Sequence, residues 1–208
     1  AGASDNIAIG YKSLEDITSG DNNVAIGSEV GRSMLSASSN TLIGTYAGSA
    51  LGAGETGNVA IGKSAMESFD EGNGTFDANI AIGLDAFKGT DLSSGGITVS
   101  GNIAIGFEAA DNTGVFAGTD NIFIGRGSGS GSSVWITAAS LRNIAIGADS
   151  MQGVFNATVD NVGVGHKVFE DLSTGKANVA VGSYAAGDTT TGVGNVAIGS
   201  YDAGNDVN

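Results

Sequence analysis

Few residues of this chain could do chemistry, and their spacing limits what that chemistry could be. Asp5, Asp21, Asp77, Asp120 and Asp160 recur just ahead of a repeated asparagine. Stacked carboxylates there would offer the hard oxygen ligands that Ca²⁺ takes. The Gly-Gly-x-Gly-x-Asp nonapeptides of calcium-binding rolls are absent, and an aspartate in a turn needs no ion. No metal or other cofactor is therefore expected. The single histidine, His166, follows a glycine at a place where other copies carry Tyr, Ser, Lys, Leu or Phe, and reads as a solvated side chain. One His and no Cys can assemble neither a zinc site nor a histidine-based triad within one chain. Gly127-Ser128-Gly129 does not sit between a long strand and a helix, so it is not expected to cradle phosphate. Asp70, Glu71 and Asp91 lie in long intervening segments without a pairing that spacing reveals. The chain reads as a non-enzyme.

The elements that must position everything else are eleven copies of one pentapeptide: Asn, an aliphatic residue, a third residue, a second aliphatic residue, Gly. The copies begin at Asn6, Asn23, Asn40, Asn58, Asn79, Asn102, Asn121, Asn143, Asn161, Asn178 and Asn195. Successive steps are 17, 17, 18, 21, 23, 19, 22, 18, 17 and 17 residues. A fixed short period of this kind marks a solenoid rather than a globular core. In Asn195-Val196-Ala197-Ile198-Gly199 the β-branched pair favours a strand, and the glycine ends it with a sharp bend. One such strand cannot close a core, but a stack of eleven can. A looser phrase follows the glycine, as in Gly10-Tyr11-Lys12-Ser13-Leu14, Gly62-Lys63-Ser64-Ala65-Met66, Gly83-Leu84-Asp85-Ala86-Phe87 and Gly147-Ala148-Asp149-Ser150-Met151. As a second short strand or bend it would drop its last apolar residue into the core from the opposite wall. A polar, Gly-rich return then completes the coil. The expected fold is all-β: a parallel β-roll, or β-solenoid, of about eleven short coils and roughly 50 Å length.

Two columns follow from this register. The eleven asparagines are expected to form a structural ladder, hydrogen-bonded from coil to coil. Taking the Ile/Val pair as the inward side puts the middle residue on the opposite face. Ala8, Ala25, Ala60, Ala81, Ala104, Ala145, Ala180 and Ala197, with Leu42, Phe123 and Gly163, would then form an exposed apolar stripe. Such a stripe reads as a subunit interface, which three rolls about a common axis would hide.

Composition bounds the remainder. The 208 residues include 36 Gly and no Pro, with a net charge of −14. That charge disfavours nucleic acid and anionic membrane surfaces as partners, and no apolar run is long enough to span a bilayer. The whole of 1–208 reads as one repeat domain, without a linker or composition break, and with loop insertions at about 67–160. Those insertions hold a set of aromatics scarce elsewhere: Phe69, Phe76, Phe116, Phe155 and the only Trp, Trp135. They form either a platform for a surface glycan or protein receptor, or cover for the flank of the roll. Neither end reads as a polar cap, which suggests a piece of a longer fibre or copies stacked end to end.

The phrases Asn58-Val59-Ala60-Ile61-Gly62 and Asn195-Val196-Ala197-Ile198-Gly199-Ser200 resemble the head repeats of trimeric autotransporter adhesins and the related rolls of phage tail fibres. The resemblance runs through the pentapeptides along nearly the whole chain. It implies a trimeric, left-handed parallel β-roll on a fibre that attaches to a surface. The expected function is therefore a structural and attachment module, a homotrimer in an extracellular fibre, either a virion tail fibre or a cell-surface appendage. The alternatives are an end-to-end polymerising filament subunit and a monomeric ice- or surface-binding solenoid, although no fixed repeat position is mostly Thr.

Overall fold

The computed structural model describes residues 2–68, 75–89, 98–111, 118–131, 140–153 and 156–200. The three middle residues of each pentapeptide form a strand, from Ile7–Ile9 to Val196–Ile198. The eleven strands stack in chain order as one parallel sheet. Register is set residue for residue: Ile7 pairs with Val24, Ala8 with Ala25 and Ile9 with Ile26. The same alignment recurs at the far end, where Val179, Ala180 and Val181 pair with Val196, Ala197 and Ile198. The predicted all-β solenoid is the observed fold, and no helix occurs among the described residues.

The strand faces the other way from the expectation. Ala25, Ala60, Ala81, Ala145 and Ala180 are fully buried, Ala104 and Ala197 nearly so, while the flanking Val and Ile residues point outward and are exposed or half-buried. Only Ala8, on the first coil, is exposed. The alanines are thus the inner wall of their own chain and not a subunit interface. The physical reason is width. The opposite wall already delivers two residues per coil, such as Ala65 with Met66, Ala86 with Phe87 and Val168 with Phe169, all buried. At the ~4.8 Å spacing of stacked strands, this leaves room for one small side chain per layer from the strand.

Volume is traded within single coils. Where the strand contributes Leu42 or Phe123, the residue six positions later is Gly48 or Gly129, and a Cβ on either glycine would collide with that leucine or that ring. Where the strand contributes Gly163, the partner is the buried Phe169. Large meets small in every such pair, which keeps the core at interior packing density.

The segment after each strand is a turn rather than a second strand. The pentapeptide glycine holds φ between 130° and 155° in all eleven copies. A Cβ on Gly10 or Gly62 would fall onto the backbone carbonyl of the glycine one coil on. Conformation and close approach therefore both demand glycine here. Two left-handed residues follow, as at Lys12 and Leu14 (φ 52° and 53°) or Lys167 and Phe169 (φ 52° and 53°). Left-handed side-chain residues cost about 1 kcal/mol each, and bonds between coils offset this: the Glu29 amide donates to the Tyr11 carbonyl at 2.7 Å.

The longer returns of the middle coils build a third wall. Thr75–Asp77, Thr98–Ser100, Gly118–Thr119 and Ser140–Leu141 form a four-stranded parallel sheet. Single bridges continue its line from Leu141 to Val159, Lys176 and Val193.

Candidate functional site

The asparagine column is the most regular polar feature. Each Asn Oδ1 accepts two hydrogen bonds from the next asparagine. One comes from its backbone N–H at 2.8–3.1 Å. The other comes from its Nδ2 at 2.9–3.2 Å. The remaining Nδ2 hydrogen reaches across the coil to the return wall: Asn23 donates to the Ala37 carbonyl at 2.8 Å and Asn58 to that of Phe76 at 2.7 Å. Asn23 through Asn178 are buried and bonded at both ends of the amide. The ladder is structural, as its spacing predicts, and inside the coil it offers no ligand a free group.

The outer face of the same strands is aliphatic. Twenty-two positions lie in two straight columns, and Thr41 is the only one that is not Val or Ile. Ile9, Ile61, Ile146, Val181 and Ile198 are all among the exposed hydrophobics, joined at the sheet edge by Tyr11, Leu84 and Phe107. Eleven strands at ~4.8 Å, each three residues wide, give a flat strip of roughly 500 Å². That is in the upper part of the range for the largest apolar patch of a soluble monomer, a range in which patches often mark interaction sites.

The predicted receptor aromatics divide. Phe76 is fully buried and lies 5.7 Å, centroid to centroid, from the core ring of Phe87. It is a core residue of the third wall and cannot serve as a binding platform, because its strand alternates Thr75 and Asp77 outward with Phe76 inward. Phe69, Phe116, Trp135 and Phe155, like Asp70, Glu71 and Asp91, lie outside the described residues.

Three of the five aspartates considered for Ca²⁺, Asp21, Asp77 and Asp160, serve neighbouring coils. Asp21 Oδ1 accepts from the Ser4 amide at 2.7 Å and its hydroxyl at 2.9 Å, and these bonds hold its carboxyl below the usual range. Asp77 accepts from the Thr56 amide at 2.6 Å. Asp160 takes a two-pronged contact from Arg142 at 2.7 and 3.0 Å, which lowers its pKa and raises that of the guanidinium. Among the described residues no group of three His, Asp or Glu is placed to hold an ion.

His166 is more engaged than a solvated side chain would be. Its ring meets the edge of Tyr184 at 5.2 Å, and its Nε2 lies 3.9 Å from Asp149, which also pairs with Arg126 at 2.5 Å. The outward aliphatic columns and the exposed Tyr11, Leu84 and Phe107 were missed as site residues. Their signal was visible in the repeats: two positions uniform in chemistry beside a third, just after the glycine, that varies freely.

The geometry defines the class as a parallel β-solenoid with one apolar outer face. No protein-family model matches the chain, and no curated protein or solved structure does so either.

Proposed function

We propose that the chain is a structural and attachment module of an extracellular fibre, on a virion or a cell surface, built as a homotrimer. The three aliphatic faces meet at the axis, and contact with a surface glycan or protein receptor is assigned to the mid-chain insertions. The observation that carries this reading is the uniformity of the outer columns. The position just after the glycine, also on the surface, takes nine residue types in eleven copies. The two outer strand positions take Val or Ile in twenty-one of twenty-two. β-propensity alone would admit Thr, Tyr and Phe there as well, so the uniformity reflects something that packs on the face.

A second copy is the occupant that fits best. The strip is flat, straight and free of charge, and its repeat matches itself. Its roughly 500 Å², before side-chain relief and the flanking Tyr11, Leu84 and Phe107, is of the order of the ~800 Å² each partner gives to a stable interface. The number three is taken from the resemblance of the pentapeptides to trimeric fibre repeats.

Light scattering behind a sizing column, at two concentrations, tests this. A three-chain mass is expected at both. The double variant Ile82→Lys and Ile105→Lys is expected to give a single-chain mass while far-UV circular dichroism stays unchanged. A single-chain mass for the unaltered protein overturns the trimer.

A further inference from the structure

We propose that a polar cleft on the flank of the last coils binds a neutral, hydroxyl-rich saccharide. The cleft is an open depression of about 560 Å³ that runs from Ser130 to Thr190 across four consecutive coils. That volume falls within the range of small-ligand sites. The proposal rests on the attachment reading only in giving a described surface to its glycan-binding side.

The concavity has a cause in the sequence. The sixth residue after the pentapeptide glycine carries a side chain in most coils, such as Asp16, Ser33, Asp171 and Asp188. In two successive coils it is Gly131 and Gly153. The backbone of the next coil presses so closely on Gly153 that a Cβ would overlap the Leu172 carbonyl. The backbone at Gly153 lines the floor between walls that carry side chains, whereas Gly131 is buried and does not line it.

The walls are held in place and biased toward accepting hydrogen bonds. Gln152 is pinned through Nε2, which donates to Asp149 Oδ1 at 3.2 Å and to the Gly127 carbonyl at 3.3 Å. Among the described residues no donor reaches its Oε1. Glu170 is fixed by Lys167 at 2.7 Å. The Ser173 hydroxyl donates to the Thr190 carbonyl at 2.9 Å and ties the last two walls together. The Asp171 carboxylate and the Thr190 hydroxyl, both exposed, bond to no described residue.

A site rich in fixed acceptors selects a ligand rich in donors. Two carboxylates in the cleft, on a chain of net charge −14, repel anions. Pre-positioned walls keep the ordering cost of binding low. Sugar hydroxyls supply donors at the density required, without the charge that would be rejected.

Saturation-transfer NMR on the full chain, with maltotriose, mannotriose and chitotriose as neutral probes and 3′-sialyllactose as the anionic one, tests the proposal at millimolar saccharide. At least one neutral trisaccharide is expected to bind and the sialylated one not. Asp171→Asn and, separately, Thr190→Trp are expected to weaken binding by about tenfold or more, with the thermal midpoint unchanged. Failure of all three neutral probes, equal binding of the sialylated probe, or full retention by both variants overturns it. The two readings fail separately. A three-chain mass without saccharide binding removes the cleft alone, and a single-chain mass with binding removes the fibre alone.

Discussion

The inner and outer surfaces of the same eleven strands obey different rules. Inside, identity varies and volume is traded: Ala, Leu, Phe and Gly all occupy the inward strand position, and where that residue departs from Ala the residue six positions on compensates. Outside, the two columns are Val or Ile at twenty-one of twenty-two positions. The contrast separates a core satisfied locally, coil by coil, from an outer face whose uniformity supports the proposed packing against another chain. Asparagine is the exception among inward groups. It does not vary, because only a carboxamide both accepts two bonds and donates two, and glutamine's extra methylene would move the amide out of the ladder's register.

The sharpest way to break the inner surface is Asn121→Ala. It strands the Asn143 amide, one Asn143 Nδ2 hydrogen and the Ser140 carbonyl, all buried. At about 1–3 kcal/mol for each group left unpaired, the loss is about 5 kcal/mol. Because coils contact only their neighbours, the damage is local. Hydrogen exchange should show lost protection around Asn102 to Asn143 while the terminal coils keep theirs.

Phe123→Ala comes next and tests the rule of traded volume. Alone it is expected to cost about 3–4 kcal/mol by urea unfolding, from the cavity it leaves. Combined with Gly129→Phe, it copies the arrangement of Ala81 with Phe87, whose ring sits on a left-handed residue as Gly129 does (φ 51° and 69°). The double variant is expected to recover more than half of the loss. If it is no better than Phe123→Ala, the core is not conserved by volume within coils.

The smallest effect belongs to the outer corners. The Asp21 and Asp160 carboxyls titrate below their ordinary value of 3.8 in the folded chain. A lowered folded pKa adds stability above the unfolded value, and that stability is lost as pH falls through the folded one. The thermal midpoint should therefore stay level from neutral pH to about 4 and decline below it. Asp160→Asn should leave the neutral midpoint nearly unchanged, since fully exposed ion pairs contribute little.

The ladder and the stacked strands were legible because they rest on spacing: an Asn every 17 or so residues has one geometric meaning. Which side of the strand faces inward was not legible. Alternation defines two faces and says nothing about which is the interior when both are apolar. The answer depends on the width left by the opposite wall. That width is set by left-handed residues such as Lys12, Leu14 and Phe87, where no glycine announces the turn. Phe76 was visible as an unusual aromatic, but its burial required the third wall, whose strands pair across steps of unequal length.

The asparagine column also has a direction. Every acceptor in it belongs to the earlier coil and every donor to the later one, ten times over without reversal. Each coil, once closed, therefore presents both acceptor sites that the next asparagine uses, while strand amides such as that of Ile7 donate the other way, to the Asn23 carbonyl. A chain emerging from its amino end meets at every stage a finished template one coil back. Shape is copied forward from coil to coil, much as a crystal face dictates its next layer.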